Sequence, residues 1–343
     1  MRRRVFGCLW LFGACSFCDG DNFHYIKWIE NANTRGIPDI YNSAEIIYQY
    51  FSYFTNESFI LFRMFVWGGA TSILSLTAKR LELSPRKVLL LIISLFIVTF
   101  CYARVTLAIV LYFYGFSYLI KPIHRRNILS CVVGLLIIYI SSLFHRSAYL
   151  LIASTLILVV PKLRKGYRGW FMLTIYIVTA YIIVFYILNH FVEYIQIIGD
   201  MSVVDKYNKY AEKEVSIQGI GAGIYYFLQF VILWGATIAC FINNRKYKES
   251  WVSYNLFKMS VALLLGSFIF RIIPDLIGGM AYRIQEMAMI PVTLYLCYSL
   301  TYYRFSYKKA RALIIIGVIS NIYKISYYFY LLMLGTGISQ RLI

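Results

Sequence analysis

Residues 121–165 read KPIHRRNILSCVVGLLIIYISSLFHRSAYLLIASTLILVVPKLRK. Two continuous apolar runs, 128–144 and 147–161, are separated only by His145-Arg146 and are flanked on their far sides by lysines and arginines. Runs of this length are on the scale of the hydrocarbon core of a bilayer when helical, about 30 Å. They do not alternate apolar with polar residues, so they are not the strands of a membrane β-barrel. Positive charge is retained on the cytoplasmic side of a membrane. The flanks Lys121/Arg125/Arg126 and Lys162/Arg164/Lys165/Arg168 therefore mark that side, and His145-Arg146 falls on the other. The stretch is a helical hairpin that fixes a side for one histidine and one arginine.

The same alternation extends along the chain. Of 343 residues, 60% are hydrophobic and 14% charged, more apolar surface than a soluble domain of this length can bury. Apolar runs recur near 5–18, 58–78, 88–102, 105–120, 128–144, 147–161, 170–190, 223–242, 251–273, 284–301 and 312–335. They predict an all-α polytopic membrane protein, one integral membrane domain over 1–343 with about 11 transmembrane helices. A net charge of +19 suggests a nucleic-acid partner only until its distribution is read. Besides the two flanks above, Lys and Arg cluster as Arg2-Arg3-Arg4, Lys79/Arg80/Arg86/Lys87, Arg245/Lys246/Lys248 and Arg304/Lys308/Lys309/Arg311. These six groups hold 21 of the 34 basic residues and occupy alternate loops, so the basicity is a topology signal and points to no nucleic acid. The expected setting is the cytoplasmic (inner) cell membrane, multi-pass, with the N-terminus cytoplasmic and, after an odd number of spans, the C-terminus extracytoplasmic.

The first segment has a second reading. Arg2-Arg3-Arg4 followed by Val5–Cys18 also describes a signal peptide, or a lipoprotein leader around Phe12-Gly13-Ala14-Cys15. In each case the residues after it lie outside. Cys8, Cys15, Cys18, Cys101, Cys131, Cys240 and Cys297 sit mostly in apolar runs, where cysteine behaves as a small hydrophobe. Cys15 and Cys18 have metal-like spacing with no second pair to complete a zinc site.

Two longer segments, about 19–57 and 191–222, are left as extracytoplasmic loops. Their aromatic, amide and carboxylate side chains suit sugars, because rings stack on pyranose faces while amides and carboxylates bond hydroxyls. With 32 tyrosines in the chain, interfacial aromatic belts account for many of these rings without a sugar. Gly219-Ile220-Gly221-Ala222-Gly223 reads as a hinge before the next span and not as a nucleotide loop, since no strand precedes it and no Lys-Ser/Thr follows.

Four arginines, Arg104, Arg146, Arg271 and Arg283, lie at span ends on the side where the chain otherwise avoids positive charge. An arginine at the edge of hydrocarbon pairs with an anion or snorkels to headgroups. Local carboxylates are available, Glu286 at i,i+3 from Arg283 and Asp275 near Arg271. A lipid-linked pyrophosphate, with its head at this interface and its tail in the bilayer, is the other candidate partner, because guanidinium binds phosphate bidentately. Sugar transfer from such a carrier needs the departing pyrophosphate stabilised and a base at the acceptor hydroxyl. His145 is the candidate base. Glu286, Asp39 and Glu57 are carboxylate alternatives.

Several segments carry a resemblance to the EpsG-like branch of Wzy-type exopolysaccharide and O-antigen polymerases. Arg104-Val-Thr-Leu-Ala108 is similar to that family's Arg-x-x-Leu-Ala signature, and Phe144-His145-Arg146-Ser147-Ala148 to its Phe-His-x-Ser-Ala signature one hairpin later. In the first outer loop, Arg35-Gly36-Ile37-Pro38-Asp39-Ile40-Tyr41 resembles a Gly-x-Asp-Tyr-like element and Asn56-Glu57-Ser58 a glutamate preceding the next span. Tyr282-Arg283 resembles a later arginine element. Two departures stand out: Ile40 separates Asp39 from Tyr41, and Arg146 fills a variable position.

The resemblance implies a GT-C-like glycosyltransferase joining lipid-pyrophosphate-linked (undecaprenyl) oligosaccharide repeat units on the outer face of the membrane. It implies a catalytic set of His145, Arg104 and Arg283, with Ser147 beside the histidine. Arg35, Arg271 and Arg146 would be further cationic contacts, and Asp39, Tyr41, Glu57 and Glu286 would face sugar. No cofactor and no metal is implied, there being no Asp-x-Asp element. Expected partners are the lipid-linked oligosaccharide, membrane lipids and a chain-length regulator. Two other functions fit cationic residues in a membrane bundle. A lipid-linked oligosaccharide flippase would line a central cavity with them, commonly with repeated halves, and no internal repeat is evident. A membrane O-acyltransferase would place its histidine on the donor's cytoplasmic side.

Overall fold

The computed structural model describes residues 58–120, 127–145, 148–158, 220–247, 250–272 and 278–333, with isolated positions between 171 and 182. The expected first span, nearly all of both long outer loops, Arg35, Asp39, Tyr41, Glu57, Arg146, Ser147 and Asp275 lie outside the described residues. Every described regular element is helical: α1 (Phe59–Arg80), α2 (Pro85–Phe100), α3 (Ala103–Leu119), α4 (Ile128–Phe144), α5 (Ala148–Ser154), α6 (Ile220–Asn244), α7 (Trp251–Ile272), α8 (Gly278–Tyr302) and α9 (Tyr307–Met333). Four stretches, Ile60–Arg80, Gly223–Asn244, Trp251–Ile269 and Tyr307–Tyr330, are long and apolar enough to cross a membrane. Val105–Leu119 and Ile128–Phe144 are shorter apolar helices.

The helix boundaries follow local chemistry. The Ser58 hydroxyl accepts from the Leu61 amide and caps α1. Lys79 and Arg80 complement the dipole at its other end. That end closes as a Schellman turn, the Leu83 amide bonding the Ala78 carbonyl and Glu82 taking the left-handed φ of 61° usually left to glycine. Pro85 then opens α2 at a position where its missing N–H costs nothing. The run expected over 147–161 is α-helical only to Ser154 and continues as a 3₁₀ turn, Thr155–Leu158. Thr155 there bonds back to the Leu151 carbonyl and across to the Tyr112 hydroxyl. The span expected from 284 starts earlier, at Gly278, so Arg283 lies in the second turn of α8 and not at its mouth.

Burial sorts the helices. Trp251–Ile269 of α7 is 78% buried and α8 is buried almost continuously from Ile284 to Tyr298, so this pair forms the centre. α4, α6 and α9 instead present large apolar side chains outward, among them Val132, Leu136, Phe227, Ile238, Ile319 and Phe329. A helix apolar on its outer face is stable where that face meets lipid. α3 and α4 touch backbone to backbone. A Cβ built on Gly115 would come within 2.7 Å of the Gly134 carbonyl, and one on Gly134 within 2.9 Å of the Gly115 carbonyl. Small residues permit such close approach between membrane helices.

α2 is kinked without a proline. Phe96 has non-helical angles (φ −141°, ψ 24°). Gln229 of α6 donates to the Leu95 carbonyl at 3.3 Å and Asn321 of α9 to the Ser94 carbonyl at 3.1 Å. Polar side chains inserted into the helical ladder are a recognised cause of such bends.

The packing also sorts helix ends. At one end lie the basic turns: Arg80 of α1 stacks 3.3 Å above the Tyr118 ring of α3, Tyr302 of α8 donates to the Glu82 carbonyl, and Asn243 of α6 donates to the Tyr303 carbonyl. The other ends of these helices, with the end of α4 at His145, meet at the opposite pole.

Candidate active site

His145 caps the C-terminus of α4 in extended backbone geometry (φ −160°, ψ 130°), which stops the helix and turns the ring inward, leaving the residue 4% exposed. Its carbonyl accepts from the Ala148 amide, tying it to the start of α5. Across the bundle, Arg283 of α8 brings Nη1 to 3.5 Å from His145 Nε2. A guanidinium only donates, so Nε2 is the accepting, unprotonated nitrogen in this contact.

Arg271 ends α7 and reaches the same stretch of α8, where its Nη2 donates to Gln285 Oε1. Its guanidinium also lies over the Phe230 and Tyr282 rings, at 5.1 and 5.0 Å from their centroids. The other side of the Gln285 amide donates to the Tyr226 carbonyl at 2.8 Å. Of the two local pairings available in sequence, Asp275 lies outside the described residues. Glu286 accepts from the Tyr226 hydroxyl at 3.0 Å and is itself buried. Arg283 is turned to the histidine.

Arg104 is in the first turn of α3, at this same pole. The corner from which α3 departs is held by a residue that the sequence reading passed over. Arg63 of α1 is buried, donates to the Cys101 carbonyl at 3.1 Å and lies 5.4 Å from the Trp67 ring centroid. Lys324 of α9 was missed as well. It is 2% exposed, with Nζ 4.9 Å from the Tyr225 and Tyr328 ring centroids and 5.4 Å from that of Tyr226. The available signal was the same for both, a lone cation inside an apolar run, which is costly in a membrane and so seldom idle. A third such cation, Lys258, is fully buried beside Tyr254 towards the basic pole.

Below Glu286, a small cavity of about 10 Å³, room for about one water molecule, lies between α2, α6 and α8. Thr99, Tyr226, Gln229, Gln285 and Glu286 give it a polar wall, and the kink residue Phe96 part of its apolar one. Thus the structure brings His145, Arg283, Arg271 and Glu286 to one pole, on α4, α7 and α8, with Arg104 on a helix that starts there. Arg35, Asp39, Tyr41, Glu57, Arg146 and Ser147, expected to complete the site, lie outside the described residues. What the described part offers chemically is a donor-only guanidinium against an imidazole lone pair, a second guanidinium at the same end of α8, and a buried carboxylate bonded to a phenol.

Residues 3–340 match the family model described as the EpsG family. No curated protein and no solved structure matches the chain.

Proposed function

The chain belongs to the EpsG family, which is Wzy-type polymerase-like, over nearly its whole length, and from that premise we propose that it is a glycosyltransferase joining lipid-pyrophosphate-linked oligosaccharide repeat units at the extracytoplasmic face of the cell membrane. Membership supports a membrane protein with a polysaccharide polymerase-like role in general. The specific reaction is our reading of the site, and the contact between Arg283 and His145 carries it.

In this reaction an acceptor hydroxyl attacks the anomeric carbon of a donor sugar. A new C–O bond forms, the bond from that carbon to the pyrophosphate oxygen breaks, and the electron pair leaves on the lipid pyrophosphate. Arg283 and Arg104 grip the pyrophosphate as it gains charge, with Arg271 and Arg35 at its margins. The hydroxyl proton passes to His145 Nε2. Before substrate arrives, Arg283 occupies that lone pair. Phosphate draws the guanidinium away and frees the base at the moment it is needed. Ser147 and Arg146 adjoin the reacting centre, while Asp39, Tyr41, Glu57 and Glu286 bind sugar hydroxyls. The arginines supply the positive charge at the leaving group, and the chemistry asks for no metal.

The test uses full-length protein in membranes and lipid-linked repeat units. Arg104→Ala, His145→Ala and Arg283→Ala should each abolish long polymer while the protein remains present. Normal polymer length in the three variants would defeat the proposal. Loss of the protein should leave single repeat units on the outer leaflet. The same units trapped inside would indicate a flippase instead.

A further inference from the structure

Lys324 stands in the apolar run Asn321-Ile-Tyr-Lys-Ile-Ser-Tyr-Tyr328 of α9, 2% exposed. Ammonium is strongly hydrated, and its burial needs compensating negative charge or π density. Three tyrosine rings supply the latter. Tyr328 comes from the next turn of α9, and Tyr225 and Tyr226 from the start of α6, with all three centroids 4.9–5.4 Å from Nζ.

The two α6 tyrosines are themselves anchored in different directions. Tyr225 shares a 2.8 Å hydrogen bond with Thr99 of α2, and Tyr226 donates to Glu286 of α8. A cation that merely glued α9 to α6 would need no such continuation. Here the chain of contacts ends on a carboxylate one turn from Arg283 on the same face of α8, beside the cavity.

We propose that Lys324 is a positioning residue for this site: set against the Tyr226 ring, it fixes the phenol that donates to Glu286, and so holds that carboxylate where the acceptor sugar hydroxyl arrives. The inference rests on the polymerase reading. A carboxylate offers about four lone-pair sites over its two oxygens, so the bond from Tyr226 is compatible with a further one from a sugar hydroxyl. Losing the cation loosens the phenol first and the carboxylate second, without touching the arginines that hold pyrophosphate.

The experiment measures kcat and KM for lipid-linked repeat units with the full-length protein in lipid nanodiscs. Lys324→Met, near in length but uncharged, should lower kcat by about a hundredfold, the scale of misplacing a reacting group by an ångström. KM for the lipid-linked donor should stay within about threefold, since uniform binding is untouched. Lys324→Arg should recover most of the rate. Tyr226→Phe should reproduce the loss, and the double variant should be no slower than either single one, because both act through Glu286. An unchanged kcat in Lys324→Met, or losses that multiply in the double variant, would overturn the proposal. If Lys324→Met does not accumulate, Tyr226→Phe alone decides, by lowering kcat at constant KM or failing to. A wild-type protein that forms no polymer would instead sink the polymerase reading.

Discussion

Arg283 and His145, 138 residues apart in sequence, meet with Nη1 3.5 Å from Nε2. The pairing joins the second turn of α8 to the C-cap of α4, and as a hydrogen bond it requires a lone pair on Nε2. Because guanidinium cannot accept, the arginine defines which ring nitrogen holds the lone pair.

Charge alone does not reproduce that arrangement. Arg283→Lys keeps a cation but loses the planar fork that meets both phosphate oxygens and imidazole. Chain extension by the purified protein should fall by about 10²–10³-fold, the usual loss when one preorganised donor to a developing anion is removed. A lysine variant extending chains at near wild-type rate would mean that Arg283 acts only as a diffuse charge.

The two poles of the bundle should lie on opposite sides of the membrane. A topology reporter inserted after His145 should read extracytoplasmic, and one after Arg304, in the basic turn between α8 and α9, cytoplasmic. Both reporters on one side would contradict the pole assignment, and a cytoplasmic His145 would favour an acyltransferase.

Gly115 is the tightest point of the α3–α4 hairpin. In Gly115→Ala the new methyl group meets the Gly134 carbonyl at 2.7 Å and the Ile138 side chain at 2.8 Å, so the helices must part. Overpacking of this kind costs about 1–3 kcal/mol. A lower unfolding midpoint in detergent is expected, and Gly115→Leu should deplete the protein from membranes. An unaltered midpoint in the alanine variant would mean that the two helices are not in contact there.

Glu82 is the converse case. Its left-handed φ of 61° costs an L-residue about 1–2 kcal/mol. Glycine there relieves the strain but loses about 0.5–1 kcal/mol in backbone entropy. Glu82→Gly should therefore leave stability unchanged or raise it by up to about 1.5 kcal/mol. Polymerisation should be unaffected, since the turn lies at the basic pole. A drop in the unfolding midpoint would show that the Glu82 side chain contributes more than its backbone costs.

Much of this was legible in sequence for one reason: a membrane imposes long-range order on a linear pattern. Apolar run lengths gave helices at 128–144 and 251–272 nearly to the residue, because hydrocarbon satisfies no backbone group and only a helix closes its own hydrogen bonds. Alternating basic loops indicated that His145, Arg271 and Arg283 share a side before any contact between them was known. Glycine and proline effects were less readable. The α2 kink at Phe96 has no proline behind it. It coincides with Gln229 and Asn321 reaching the Leu95 and Ser94 carbonyls, respectively, from helices more than 130 and 220 residues away in sequence.

Partner choice was the part that sequence did not contain. Proximity along the chain offered Glu286 to Arg283 and Asp275 to Arg271. Packing brings Arg283 to His145 and Arg271 to Gln285, and gives Glu286 the Tyr226 hydroxyl, while Asp275 lies outside the described residues. Arg63 and Lys324 drew no attention in the sequence, and burial and the rings around them show where each one sits. The one-dimensional pattern determined the helical class, the approximate bounds of the helices among the described residues and the family, because these follow from local hydropathy, charge and short motifs. The tertiary structure alone decided which charged groups meet, because such contacts depend on how helices distant in sequence rotate and approach one another, and hydropathy carries no record of that.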